Sequence, residues 1–454
     1  MADHIDLKDL WKTLKEVNFS VLMRRNFASI AYRPTIRLRG SFRYAVCLLV
    51  GLAMPYFFWA LGVGPRWSSN LFLVSITSAG IANFSCWYAL ERLREYAKSR
   101  QLSYVIPVNV VMFGAVFTII GLLRLPYSIS LIGGCFLGTL CASYLITAFT
   151  RRATNLNYVA KGGRADGLLG RDLFEPIENL GEFENLVGSK GSNFAIVADL
   201  HHDHPAEWER MFAKAALQGI PVYHYRQILE AQTGQVRIAH LSENDLGSLI
   251  PNLPYMAAKR AVDILSVLLL LPILLLAGAA IALAIKMTSS GSVLFFQERM
   301  GFRGQPFRMV KFRTMKEVDS AANDEDAARM QSMTKDKDGR ITRVGHVLRK
   351  LRLDELPQAW NVLKGDMSWI GPRPEAIALS EWYEEEIPFY SYRHIVRPGI
   401  TGWAQVNQGH VTDLDNVTDK LRFDFYYVKN VSLWLDVLIG LKTLRVLATG
   451  LGAK

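Results

Sequence analysis

Two carboxylates and a group of cations in the last third of the chain are the residues best suited to chemistry. Asp354 and Glu355 stand side by side in Leu348-Arg-Lys-Leu-Arg-Leu-Asp-Glu-Leu-Pro-Gln358, just after Arg349 and Arg352. A basic environment keeps an aspartate ionised, and an ionised aspartate can attack phosphorus. Sequence neighbours do not share a helix face, so the pair is expected to divide two tasks rather than share one proton. Pro357 is expected to stop a helix here, leaving the pair at an element end where backbone donors are free. A bare Asp-Glu pair is also a common solvated surface, so its surroundings decide.

Those surroundings are basic. In Phe307-Arg-Met-Val-Lys-Phe-Arg-Thr-Met315, Lys311 and Arg313 alternate with apolar residues, which places both on one side of an extended segment. Arg373, in Ile370-Gly-Pro-Arg-Pro-Glu375, is held between two prolines whose fixed φ would present a guanidinium to phosphate with little entropy loss, although a rigid surface turn reads the same. Arg397 opens the phrase Arg397-Pro-Gly-Ile-Thr-Gly-Trp-Ala-Gln405, and Asp424 lies in Phe423-Asp-Phe-Tyr-Tyr-Val428. His201-His202-Asp203-His204 lacks a spaced partner cluster and reads as a polar loop rather than a metal centre. Cys47, Cys86, Cys135 and Cys141 all lie in apolar runs and read as small hydrophobes.

The elements that must position these residues are partly membranous. Half of the 454 residues are hydrophobic, and the formal charge of +11 fits anionic lipid or polyphosphate partners; no zinc spacing or basic-aromatic tract supports nucleic acid. Segments 42–61, 70–90, 105–123 and 128–149 are each long and apolar enough to span a bilayer. Arg24, Arg25, Arg33, Arg37, Arg39 and Arg43 precede the first, Arg92, Arg94, Lys98 and Arg100 follow the second, and Arg151, Arg152, Lys161 and Arg164 follow the fourth. Only Arg66 and Arg124 occupy the other two loops, so both ends of the bundle are expected in the cytoplasm. The charged first forty residues show no removable signal peptide.

Behind the spans, a strand-like run 194–200, a helix-like run 206–218 and a strand at 221–225 predict a small α/β domain, without a dinucleotide fingerprint, acting as a structural or dimerising spacer. The apolar run 261–285 has Pro272 at its middle, Asp263 near its start, and Lys259, Arg260 and Lys286 flanking it. A break is expected at Pro272, with a helix that enters the membrane, turns and leaves on the same side; a kinked fifth span is the alternative. The run 432–447 has a broad apolar face that suits either an interfacial helix or a buried core helix. The expected layout is a cytoplasmic segment 1–40, a four-helix transmembrane domain 41–150, an α/β spacer 151–253, and an α-rich catalytic domain 254–454 carrying the re-entrant helix.

Lys311-Phe-Arg-Thr-Met315, Leu353-Asp-Glu-Leu-Pro-Gln358, Gly371-Pro-Arg-Pro374 and Pro398-Gly-Ile-Thr-Gly-Trp-Ala-Gln405, in this order, resemble the bacterial sugar transferase family, the monotopic polyprenyl-phosphate hexose-1-phosphate transferases. The likeness covers about 256–447, and the spans and spacer ahead of it look like the large form that initiates O-antigen or exopolysaccharide synthesis at the bacterial inner membrane. It implies a ping-pong reaction in which Asp354 attacks a UDP-hexose, expels UMP and passes the phosphosugar to undecaprenyl phosphate. By the same likeness Glu355 binds Mg²⁺ with Asp354 or positions the acceptor, and Arg349 neutralises phosphate. Arg373 contacts the nucleotide sugar, with Lys311, Arg313, Arg352, Arg397 and Asp424 at the substrate site. Partners would be the two substrates, the bilayer and a second copy of the chain as a homodimer.

One departure stands out: small members often carry Ser-Pro at the helix break, whereas Leu271 precedes Pro272 here and Ser266 lies six residues earlier. Two other readings remain open at this point. One is a membrane glycosyltransferase releasing UDP, with Asp336-Lys-Asp338 or Asp413-Leu-Asp415 as its metal triplet, and the other is a non-catalytic assembly scaffold. Neither the hexose nor the polymer is legible from spacing.

Overall fold

A computed structural model describes residues 40–63, 70–93, 96, 101–149, 156–171, 174–188, 194–237, 251–315, 340–408 and 414–449. The segment 1–39, most of the loop charges used for orientation, the triplet Asp336-Lys-Asp338 and Asp413 lie outside them. The chain divides into two compact units, Met1–Trp87 with Asn109–Asn157, and Tyr88–Val108 with Tyr158–Lys454.

The first unit is built from apolar helices: α1 (Gly40–Leu48), a π-helical turn (Leu49–Ala53), α2 (Met54–Val63), most of α3 (Asn70–Leu93) and α4 (Gln101–Leu122), and α5 (Ile129–Phe149). Four stretches, Phe42–Gly62, Asn70–Leu93, Leu102–Leu122 and Ile129–Ala148, are long and apolar enough to cross a membrane. Hydrocarbon gives helices no hydrophobic reason to associate, so close packing and polar contacts must do so. Here a Cβ on Gly138 would lie 2.5 Å from the Val50 carbonyl, and Asn83 Nδ2 donates to the Cys47 carbonyl at 3.1 Å and to Thr139 Oγ1 at 2.9 Å. Cys47, Cys86 and Cys135 are buried free thiols, while Cys141 is exposed.

In the second unit a small α/β module carries a four-stranded sheet of order β2-β1-β3-β4, with β1 Leu156–Ala160, β2 Phe174–Ile177, β3 Phe194–Ala198 and β4 Val222–His224. Every residue of β3 is buried, as a strand covered on both faces requires. Helices α6 (Leu180–Gly188) and α7 (Ala206–Leu217) pack on it through Phe183, Val187, Phe212 and Ala215. Helix α8 (Tyr225–Thr233) closes the other side and ends on Gly234 in the left-handed region.

The same unit contains α9 (Leu253–Thr288), the fifth helix among the described residues long and apolar enough to cross a membrane. Asn252 caps it by accepting from Tyr255 N at 3.1 Å, and Pro254 occupies the first turn, where no donor is missed. The helical pattern continues through Pro272, the position at which a break is expected. One stripe of α9 is covered along its length: Lys259 reaches Asp436 at 2.6 Å, Trp369 Nε1 donates to Ser266 Oγ at 2.8 Å, Val267 packs with Met367, and Ile281 and Ile285 pack with Phe312. The other face, including Leu265, Leu269, Ile273, Leu276 and Leu283, is exposed.

Against that stripe lie an antiparallel hairpin, β5 (Leu294–Met300) with β6 (Pro306–Phe312), then α10 (Arg343–Lys350), a 3₁₀ turn (Leu353–Gln358) and α11 (Ala359–Lys364). A short parallel pair, β7 (Ser368–Ile370) with β8 (Gly399–Thr401), joins the later helices α12 (Ile377–Glu386), α13 (Trp403–Asn407), α14 (Leu414–Lys429) and α15 (Leu433–Thr449). The α15 face carrying Leu435, Leu438 and Ile439 is fully buried, while Leu433 and Leu444 are exposed, so this helix is partly core and partly surface.

Candidate active site

The carboxylate pair sits at the start of a helical segment, not at its end. Helix α10 stops at Lys350, Arg352 turns the chain at φ 56°, and Asp354 and Glu355 form the first turn of the 3₁₀ segment that leads into α11. Pro357 lies inside that 3₁₀ segment, two residues before α11 begins at Ala359. The expected element end is therefore a beginning, where Glu355 N already donates to the Arg352 carbonyl at 3.3 Å.

Lys311 is brought to the pair by a locking asparagine. Asn361, 1% exposed, accepts from Val310 N at 3.1 Å and donates to the Arg308 carbonyl at 2.8 Å. It thus ties β6 to α11 and fixes Lys311 beside the turn between them. Lys311 Nζ lies 4.0 Å from Glu355 Oε1. Arg373 grips the same oxygen with both terminal nitrogens at 3.1 Å, and Arg352 adds a longer contact at 3.4 Å.

Arg373 is held by two chains that touch backbone to backbone. A Cβ on Gly399 would lie 2.0 Å from Gly371 N, and one on Gly371 would lie 2.3 Å from the Arg397 carbonyl. Glycine at both places is what lets the Gly-Pro-Arg-Pro turn lie on the Pro-Gly-Ile-Thr-Gly strand, where Gly399 N donates to the Pro372 carbonyl at 2.9 Å and Gly371 N to the Thr401 carbonyl at 2.9 Å. From behind, Arg393 Nη2 donates to the Arg373 carbonyl at 2.8 Å and to Asp424 at 2.9 Å. Arg299 Nη1 donates to the Pro374 carbonyl at 3.2 Å, and Lys420 pairs with Glu375.

These placements set the charges. Burial pushes Glu355 up, but Arg373, Lys311 and Arg352 outweigh it and hold the carboxyl at about 2. Asp354 moves the other way: burial and then the Glu355 charge raise it against the pull of the same cations. Lys311 falls to about 7, first through burial and then through the repulsion of Arg373, which Glu355 only partly offsets. The site therefore holds one carboxylate neutralised by three cations and, next to it, an aspartate whose buried Oδ1 has no hydrogen-bond partner among the described residues. That orphaned oxygen is a hard donor, the kind a magnesium ion accepts.

The structure brings together Asp354, Glu355, Lys311, Arg352 and Arg373 from three separated phrases. Arg349 stands half-buried in the last turn of α10, with no side-chain partner among the described residues. Arg313 does not share the contacts of Lys311; its guanidinium donates to Ser289 Oγ at 3.0 Å and braces the exit of α9. Asp424 is buried, and it meets the site through Arg393 and the Arg373 carbonyl. Arg397 donates through Nε to the Gly365 carbonyl at 3.0 Å and stands over Phe302. Asn361, Arg393, Arg299 and the Glu375–Lys420 pair escaped the sequence reading. Lys420 and Asp424 do stand four apart on one helix, but each is paired with a partner from another element.

In the α/β module, the histidine loop acquires the partner its sequence lacked. Asp199, His201 and His224 gather with all ligand atoms within 4.8 Å. A metal does not suit them: His224 Nδ1 accepts from Arg226 N at 3.1 Å, so Nε2 carries the proton and points at His201 Nδ1, 2.8 Å away. A closed hydrogen-bond network accounts for the cluster.

Comparison with known proteins places this geometry in a family. The family model described as bacterial sugar transferase matches residues 254–450. A UDP-N-acetylgalactosamine-undecaprenyl-phosphate N-acetylgalactosaminephosphotransferase of Aeromonas hydrophila is 43% identical over 371 residues, 80% of this chain and 84% of that protein. A UDP-glucose:undecaprenyl-phosphate glucose-1-phosphate transferase of Escherichia coli (strain K12) is 43% identical over 183 residues, covering 40% of this chain and 38% of its own. A UDP-galactose-lipid carrier transferase of Erwinia amylovora is 37% identical over 205 residues, 43% of this chain and 41% of that protein. With the carboxylate pair, its cations and the glycine contact all inside the matched region, the chain belongs to the bacterial sugar transferase family.

Proposed function

We propose that the chain transfers a sugar-1-phosphate from a UDP-sugar to undecaprenyl phosphate and releases UMP, as the first membrane step of exopolysaccharide or O-antigen synthesis. The observation that carries this is the unequal carboxylate pair: Glu355 is committed to three cations, whereas Asp354 keeps a buried oxygen uncommitted. In the first step an Asp354 oxygen bonds to the sugar-linked phosphorus. The bond from that phosphorus to the bridging oxygen breaks, and its electron pair leaves with UMP. In the second step an oxygen of undecaprenyl phosphate bonds to the same phosphorus, and the Asp354 carboxylate departs restored. Lys311, Arg352 and Arg373 offset the charge of donor and leaving group, and Arg349 receives the acceptor phosphate. Asp354 and Glu355 would hold Mg²⁺, which when bound offsets pyrophosphate charge.

The site's surroundings favour the membrane surface. From Lys259 to Ile285 a straight helix covers about 39 Å, more than the hydrocarbon core, yet one side of α9 touches the same globular part at both places. That supports a helix that enters and leaves on one side, with the catalytic part in the cytoplasm. Exposed Leu351 and Trp360 flank the carboxylate turn, and exposed Phe295 and Phe296 lie on the adjoining hairpin, which suits a lipid-borne acceptor.

The relative matched over most of its length acts on N-acetylgalactosamine, so UDP-N-acetylgalactosamine is the first donor to test, beside UDP-glucose and UDP-galactose. Detergent-purified protein with undecaprenyl phosphate and Mg²⁺ should release UMP, and Asp354→Asn should abolish it. UDP as the released nucleotide would assign the chain to sugar-only transfer, and unchanged release by Asp354→Asn would remove the nucleophile from this account.

A further inference from the structure

A cavity of about 590 Å³ opens beside the first turns of α9, and neither the carboxylate pair nor its three cations line it. Leu253 and Met256 of α9, Met300 and Phe302 of the hairpin, and Ile395 supply its apolar wall. Its cations are Arg303 and Arg397, whose guanidinium carbons stand 5.0 and 4.9 Å from the centroid of the single Phe302 ring. One aromatic ring thus gathers two like charges, an arrangement that costs repulsion: Arg397 is lowered first by burial and then by Arg260 and Arg303. Arg303 also adopts φ 57°, a left-handed backbone that a side-chain-bearing residue seldom takes.

Neither guanidinium is used up by the fold. Arg397 spends only Nε, on Gly365, and the Arg303 side chain makes no hydrogen bond or ion pair among the described residues. Glu384 is the one acid among the lining residues, and His394 is held neutral by burial and then Arg393, which bring it down to about 3. The lining therefore carries excess positive charge on two planar forks, above an apolar wall whose Leu253 belongs to the helix that carries the exposed Leu265, Leu269 and Leu276.

We infer that this cavity is a second phosphate site, distinct from the catalytic one, which seats the phosphate of an anionic membrane phospholipid between Arg303 and Arg397. Guanidinium forks match phosphate oxygens, the volume suits a headgroup, and the apolar wall at the start of α9 receives the glycerol end of the acyl chains. A free phosphate or a nucleotide would use the same forks but leave the apolar wall and the helix face without a partner.

The test is lipid retention, which does not depend on turnover. Full-length protein is taken into nanodiscs of phosphatidylcholine and phosphatidylglycerol in equal parts, and the lipids kept after release are counted by native mass spectrometry. Wild type should retain phosphatidylglycerol selectively. Arg303→Gln and Arg397→Gln should each weaken that retention about fivefold, the weight of one basic residue near an anionic lipid surface, while Glu384→Gln should strengthen it. Arg303→Gln breaks no hydrogen bond, so an unchanged melting temperature is the control for folding. Equal retention by wild type and both arginine variants would overturn the proposal. So would displacement of the bound lipid by UMP or inorganic phosphate at concentrations that leave other lipids in place, which would make the cavity a soluble-anion site.

Discussion

Asp354 and Glu355 differ because their neighbours differ, and that difference makes the pH dependence predictable. In the proposed reaction Asp354 must be ionised, and its carboxyl is raised, so activity should fall as pH drops through that raised value. Lys311, brought down to about 7, is charged below that pH and neutral above it, so the falling limb of kcat/KM for the nucleotide sugar should lie near neutrality. Bound pyrophosphate favours the charged amine, and the same limb should move to higher pH in kcat. Lys311→Arg keeps its charge throughout and should remove the falling limb; a limb that stays in place in that variant would assign it to another group. The pair, Lys311 and Arg373 were legible in sequence because their phrases recur together in one order. The unequal charge states were not, since they arise from Glu355 lying under three cations contributed by three segments.

At the scale of elements, the positions of the catalytic groups depend on residues that do no chemistry. Asn361 holds β6 against α11, and Asn361→Leu would leave the Val310 N–H and Arg308 carbonyl buried without partners. A loss of roughly 2 to 5 kcal/mol is expected, seen as a lower melting temperature, together with a raised KM for donor as Lys311 loosens. Arg393 and Asp424 stiffen the Arg373 turn from behind. Arg393→Met strands a buried carboxylate and should cost about 3–5 kcal/mol. The double variant Arg393→Met with Asp424→Leu should recover much of that stability without recovering kcat, because the Arg373 carbonyl still lacks its donor. Equal recovery of stability and kcat would show that the pair serves the fold alone. Sequence reading located the membrane-length helices and two of the four strands of the α/β sheet, since apolar period and length carry that information, while β1, β2 and α6 escaped it. It misplaced the role of Pro357 because proline is compatible with both the end of one helix and the first turn of the next, and only the left-handed Arg352 decides between them.

For the whole molecule, the decisive question is how a chain whose described residues include five helices of membrane-crossing length would present one active site to the proposed soluble donor and lipid acceptor. Helix α9 holds the answer, because Pro272 was readable but the stripe of contacts that runs past it was not. Lys259 and Ile285 are far apart along the helix, and both lie against the part that carries Asp354. If α9 crossed the bilayer, these two contacts would lie on opposite sides of about 30 Å of hydrocarbon, and the globular part that makes both would have to span it. Cysteines placed at Asn252 and Ser290, in a background where Cys47, Cys86, Cys135 and Cys141 are replaced by serine or alanine, report this directly. Both should react with a membrane-impermeant maleimide in inside-out vesicles, and neither in right-side-out vesicles. Labelling of one position from each face would establish a fifth span, and the donor site would then have to be sought across the membrane from the cytoplasm.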